Sequence, residues 1–171
     1  RSKSGQGSNG GGRWYSVSAL RRFHTRIAEK ARDVSASPVL IVAFGDSVTQ
    51  GYTRANTIEP IYVYHQRLKE QLEIRYPLTT FSVINAGVAG FTAEGSLARL
   101  NRDVTRYQPD LVLIAFGLND AVVLGQQGLE HFQKALQTMI DTIHAETKSD
   151  IILLTPNFMV TADNTNIHPT E

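Results

Sequence analysis

Pro38-Val39-Leu40-Ile41-Val42-Ala43-Phe44-Gly45-Asp46-Ser47-Val48-Thr49-Gln50-Gly51 is the stretch on which the fold turns. Its first half is an unbroken β-branched and aliphatic run, the pattern of a strand buried on both faces. Its second half is polar and closes on glycines, so the chain leaves the sheet into a tight loop or helix start. Buried strands of this kind belong to parallel sheets covered by helices on both sides.

Outward from it, the same alternation repeats. Upstream, Leu20, Phe23, Ile27 and Ala31 recur at helical spacing, which predicts an amphipathic helix over Ser16–Arg32, broken by Ser35–Pro38. Downstream, Pro60 opens a helical stretch with Ile61, Tyr64, Leu68 and Leu72 on one face. Pro77 ends it, and TTFSVINAG (79–87) reads as a second strand. Glu94–Tyr107 is predicted helical, with Leu97, Leu100 and Val104 as its stripe, and Asp110–Phe116 is a third, fully apolar strand. Gly128–Ala145 is a helix with Leu129, Phe132, Leu136, Ile140 and Ile143 inward, and Asp150–Thr155 a fourth strand closed by Pro156. The expected class is α/β, with a mostly parallel sheet between helical layers. No internal repeat is present.

The chain has 171 residues, 42% hydrophobic and 19% charged, which suits one domain with an ordinary core. Residues 1–14, led by RSKSGQGSNGGG, read as a flexible Gly/Ser-rich segment and 15–171 as the domain. The absence of cysteine excludes disulfides, thiolate metal sites, iron–sulfur clusters and a cysteine nucleophile. No apolar run is long enough for a bilayer and no segment reads as a secretory leader, which favours a soluble protein and the cytoplasm, while the missing starting Met leaves the compartment open. Residues 1–32 hold eight of the 17 basic residues and one acid, Glu29. Few aromatics accompany them and no nucleic-acid motif follows, so a solvated tail and helix face is expected rather than a nucleic-acid contact.

Ligand sites in open parallel sheets lie beyond the carboxyl ends of the strands. Strand one runs into Gly45-Asp46-Ser47-Val48-Thr49-Gln50-Gly51, strand two into Asn85-Ala86-Gly87-Val88-Ala89-Gly90-Phe91-Thr92, and strand three into Gly117-Leu118-Asn119-Asp120. All three segments should meet on one rim. Acyl transfer needs an activated hydroxyl and donors aimed at the developing oxyanion. Ser47 supplies the hydroxyl and its own N–H, Gly90 an N–H unobstructed by a side chain, and Asn119 a neutral amide. Taken singly, each segment has a plainer reading: turn glycines, a helix cap at Ser47, a loop shaped by Asn85 and Gly87. Their convergence favours a site. Asp46 and Asp120 are expected to hold loop backbone.

GDSVTQG, NAGVAGFT and GLND, in this order and on these strands, resemble the first, second and third blocks of the SGNH (GDSL-type) serine hydrolases. The resemblance spans roughly residues 38–157. It implies a three-layer α/β/α sandwich with a flavodoxin-like sheet of about five parallel strands. It further implies Ser47 as nucleophile, Gly90 and Asn119 as oxyanion donors, and hydrolysis of esters or thioesters without a metal or other cofactor. The substrates would be small: acylated sugars, lipids or thioesters.

The family's last block, D-x-x-H, supplies base and orienting acid. Here Thr165 stands where Asn166-Ile167-His168-Pro169 would require the acid, and Asp163 lies five residues before His168. Two readings stay open. In one, His168 is the base, oriented by Asp163 or a distant acid. In the other, the base lies outside this chain and His168 sits in a loop after strand four; the lack of room for a final strand–helix unit favours this. A non-catalytic module binding an acyl or glycan ligand is the second class of function, and flavin binding by the loop after strand one the third. His24, His65, His131 and His144 are weak candidates, expected exposed or half-buried on helices. Tyr52–Glu59 and Asn157–Thr165 are expected to wall the pocket, with Tyr52 and Phe91 available to an acyl chain.

Overall fold

The computed structural model describes residues 19–53 and 55–156. The elements run α1 (Arg21–Arg32), β1 (Val39–Gly45), the single turn α2 (Ser47–Gln50), α3 (Tyr64–Arg75), β2 (Phe81–Gly87), α4 (Ala93–Ser96), α5 (Leu100–Asp103), β3 (Leu111–Ala115), α6 (Leu118–Leu124), α7 (Leu129–Glu146) and β4 (Asp150–Leu153). Among the described residues the sheet has four strands, all parallel, in the order β2-β1-β3-β4. That is the order of the flavodoxin-like sheet that the resemblance implied.

Strand periodicity divides the apolar residues between two cores. Val39 and Ile41 of β1 join Phe81, Leu111 and Leu113 beneath α1 and α3. Val42 and Phe44 join Val112, Ile114 and Phe116 beneath α4, α5 and α7. Three layers result, with β1 buried almost throughout.

Helix α1 lies across the starts of the strands. The Phe23 N–H donates to Asp150 Oδ2 at the head of β4 (2.8 Å), Arg22 and Arg26 pair with Asp110 ahead of β3 (3.0 and 3.2 Å), and Thr79 Oγ1, ahead of β2, donates to Ile27 O (3.3 Å). Asp110 also accepts from Leu40 N at 3.0 Å. Lys30 is buried, its Nζ donating to Val34 O and Ala36 O at 2.6 and 2.7 Å. The basic helix is therefore only partly a solvated face: its stem methylenes pack while its charges find acceptors.

Other expectations need correction. Ile61 falls in a short 3-10 turn before α3 and is exposed, because the chain straightens at Val63 before the helix proper begins. Leu129, the first residue of α7, is exposed; the inward stripe is Ala135, Met139 and Ile143 with Phe132 and Leu136. The helix expected over Glu94–Tyr107 is broken into α4, a 3-10 turn at Leu97–Arg99, α5 and a second 3-10 turn at Thr105–Tyr107. The tightened turn brings the adjacent residues Arg99 and Leu100 both inside, which one unbroken amphipathic stripe would not do. Residues 1–14 and the predicted start of α1 at Ser16 lie outside the described residues.

Candidate active site

The rim is built where β1, β2 and β3 end side by side. Gly45 faces Gly87 in the β1–β2 register and Ala115 in the β1–β3 register. Beyond Gly45, Asp46 caps α2 through Oδ1, which accepts from Val48 N at 3.0 Å. Ser47 is therefore the first residue of a helical turn, where a backbone N–H has no carbonyl of its own turn to bond. Gly51, at φ +85°, ends the turn, and both Gly51 N and Tyr52 N donate to Ser47 O at 3.0 Å. Ser47 itself is half-buried.

Hydrogen bonds stitch the three segments together. The Gln50 carbonyl accepts from Asn85 Nδ2 (3.2 Å) and its Oε1 from Ala89 N (2.9 Å), joining the loop after β1 to the loop after β2. Val88 N reaches back to Gly45 O at 3.1 Å. Asn119 Nδ2 donates to Phe91 O (3.0 Å), and Asp120 accepts from Ala93 N at 2.9 and 3.2 Å, joining the segment after β3 to the same loop. Gly90 sits between these stitches, exposed, at φ +80°, with nothing within 4 Å of where a Cβ would stand. The structure thus brings the segments of Ser47, Gly90 and Asn119 to one rim. His168 lies outside the described residues, as do Asp163 and Thr165.

Behind the rim stands α3. Thr49, fully buried, is held by Tyr64 OH at its Oγ1 (3.1 Å) and by His65 Nε2 at its carbonyl (3.0 Å). His65 is 1% exposed, against the expectation for a helix histidine, because its ring bonds the Thr49 carbonyl of the turn α2. Burial pushes its pKa down, keeping the ring neutral, and Nε2–H donates to Thr49 O. Burial likewise raises the Tyr64 phenol to about 12. Asp46 and Asp120 are both pushed up, chiefly by burial, and for Asp46 also by the charge of Asp120. Both carboxylates bond loop backbone, the role the sequence suggested for them.

A family model for the GDSL-like lipase/acylhydrolases matches residues 43–170, a span that carries all three of these segments. The chain belongs to that family. A lipase/acylhydrolase from Enterococcus faecalis is 35% identical, with TM-score 0.62 over 75% of this chain and 63% of that one. A two-domain esterase active on acetylated mannans is 26% identical, with TM-score 0.63 over 79% of this chain and 34% of its own. A variant of an acetyl xylan esterase from Geobacillus stearothermophilus is 26% identical, with TM-score 0.58 over 71% and 61%. An uncharacterized lipoprotein of Bacillus subtilis (strain 168), YqeF, is 33% identical over 88 residues. That alignment takes in 49% of this chain, which spans about a third (33%) of the relative's length.

In this GDSL-like chain a cavity of about 500 Å³ opens beside the Ser47 turn. Its lining includes Asp46, Val48, Tyr52, Thr53, Glu59 and Phe116; Ser47, Gly90 and Asn119 do not line it. The expected wall at Tyr52–Glu59 is therefore in place, held by Glu59 N to Gly51 O and Thr53 N to Thr57 O, both 2.9 Å. Asn157–Thr165 lies outside the described residues. Phe91 does not line the cavity; its ring rests on Arg99, centroid to guanidinium 5.1 Å. Among the described residues no group of three or more His, Asp or Glu side chains converges as a metal site would require, and no helix is long and apolar enough to cross a membrane.

Three contributors escaped the sequence reading: Gln50, His65 and Arg99. Gln50 lay inside the first motif, yet its partner residues are 35 and 39 positions away. Arg99 was given no role from the sequence, where it stands off the Leu97, Leu100, Val104 stripe.

Proposed function

We propose that the chain is a serine esterase of the GDSL-like family acting on small carboxylic esters or thioesters. Ser47 Oγ attacks the acyl carbonyl, and the oxyanion is held by the N–H groups of Ser47 and Gly90 and by the amide of Asn119. Asn119 Nδ2 carries two hydrogens; its bond to Phe91 O uses one and aims the other. A histidine takes the hydroxyl proton and returns it to the leaving group, and water then releases the acid. That histidine is His168 in one reading and lies outside this chain in the other. The observation that supports the reading most directly is the stitching of the three segments around a half-buried serine at the first position of a helical turn. The two carbohydrate esterases among its structural relatives favour acylated sugars as substrates.

The test is intact mass before and after a fluorophosphonate, with peptide mapping of the adduct. A stoichiometric adduct on Ser47 is expected, and Ser47→Ala should lower ester turnover at least about 10,000-fold. Wild-type turnover by Ser47→Ala on every ester tested would refute the mechanism. Acyl or glycan binding with no adduct and no turnover would instead support the non-catalytic reading.

A further inference from the structure

The Arg99 guanidinium lies directly beneath the rim, its side chain 5% exposed. Nη2 donates to Gly45 O and Nη1 to Ala86 O, both at 2.8 Å. Those carbonyls close β1 and β2, two residues before Ser47 and four before Gly90. The guanidinium plane is packed among rings: Phe44 at 4.4 Å, Phe91 at 5.1 Å and Phe116 at 5.9 Å. Phe91 follows Gly90 and its carbonyl takes the Asn119 amide; Phe116 lies three residues before Asn119. One buried cation therefore touches the root of each of the three segments. Asp103 Oδ2 (3.1 Å) and Ser96 Oγ (3.2 Å) hold it from its own side, and Nε has no acceptor among the described residues. A buried donor left unpaired is costly, so this group is kept for where it sits rather than for bonds it fails to make.

From this placement we infer that Arg99 is the positioning residue of the hydrolytic site, its guanidinium setting the separation between Ser47 and the two other oxyanion donors. The inference rests on the function proposed above. Lysine cannot replace it: a single ammonium on a flexible stem cannot hold two carbonyls in one plane and stack on three rings. A misplacement of about 1 Å at such a site lowers turnover by roughly 100-fold. Arg99 touches no substrate, so KM should stay within about twofold.

Wild type, Ser47→Ala and Arg99→Lys are compared on p-nitrophenyl acetate, well below the melting temperature of each. Backbone amide exchange is followed in parallel. With an active wild type and an inactive Ser47→Ala, a roughly 100-fold fall in kcat at unchanged KM in Arg99→Lys supports the inference. An unchanged kcat overturns it and leaves the esterase reading standing. If wild type is inactive, or Ser47→Ala is active, the esterase reading fails and amide exchange decides the inference. Faster exchange confined to residues 48–51 and 88–91, with β3 and β4 unchanged, supports the clamp. A uniform change, or none, overturns it. Where Arg99→Lys does not fold, Asp103→Asn removes the carboxylate on Nη1; about a tenfold fall in kcat is expected, and an unaltered kcat refutes the role.

Discussion

Asn119 illustrates how one side chain is shared between structure and proposed chemistry. With Asn119→Ala, the oxyanion loses a donor and Phe91 O loses its partner; kcat should fall about 100- to 1,000-fold in a steady-state ester assay. His65 has a different signature, visible in stability against pH. Burial holds its pKa below the ordinary 6.5, so the folded protein refuses a proton that the unfolded chain accepts. Stability is full above the unfolded value and is lost as pH falls from 6.5 toward the folded value. His65→Gln keeps a donor for Thr49 O but does not titrate. Urea unfolding at about pH 7.5 and about pH 5 should show a smaller acid-side loss for the variant than for wild type. Both residues were in view in the sequence, Asn119 as a donor and His65 as a dull helix histidine. The difference is that Asn119 stood out because three motifs converge on one rim, whereas the burial of His65 depends on α3 lying against a turn 16 positions away.

At the scale of elements, the strand ends set how closely the loops approach. A Cβ on Gly87 would overlap the backbone of Thr49 and Gln50, because the turn α2 lies directly on the end of β2. Gly87→Ala should therefore cost about 1–3 kcal/mol in denaturant unfolding and loosen the Ser47 turn. Gly90, one loop further on, has open space and demands only its backbone conformation, so the two glycines serve distinct purposes. The continuous apolar runs Val39–Phe44 and Leu111–Phe116 made their strands legible, since burial on both faces needs nothing but apolar residues. The segment from Glu94 to Tyr107 was misread for the opposite reason. Its helix is interrupted to bury an arginine whose acceptors, Gly45 O and Ala86 O, belong to other elements. Periodicity reports a face, and it is blind to a polar group whose partners arrive only with the tertiary fold.

Across the whole molecule, Asp110 is the most connected acid at the floor of the sheet, taking Arg22, Arg26 and the Leu40 N–H while its side chain is 5% exposed. Asp110→Ala leaves the Leu40 N–H without its acceptor and Arg26 with only Glu29 and Ser37, and should cost about 1–3 kcal/mol in urea unfolding; Arg22→Ala, at 37% exposure, should cost no more than about 1 kcal/mol. The sheet covered on both faces followed from the alternation of strand and helix, and its flavodoxin-like character from the resemblance of the three motifs. The brace α1 makes across the strand starts did not, because its arginines read as a solvated face until Asp110 and Asp150 were placed beneath them. That brace also gives the molecule a polarity. The chain enters at the floor, through Leu20 and Phe23 packed near the heads of the strands, while the rim opens at their far ends. Residue 19 therefore stands at the end of the domain opposite its rim, so the strands carry the chain from floor to mouth.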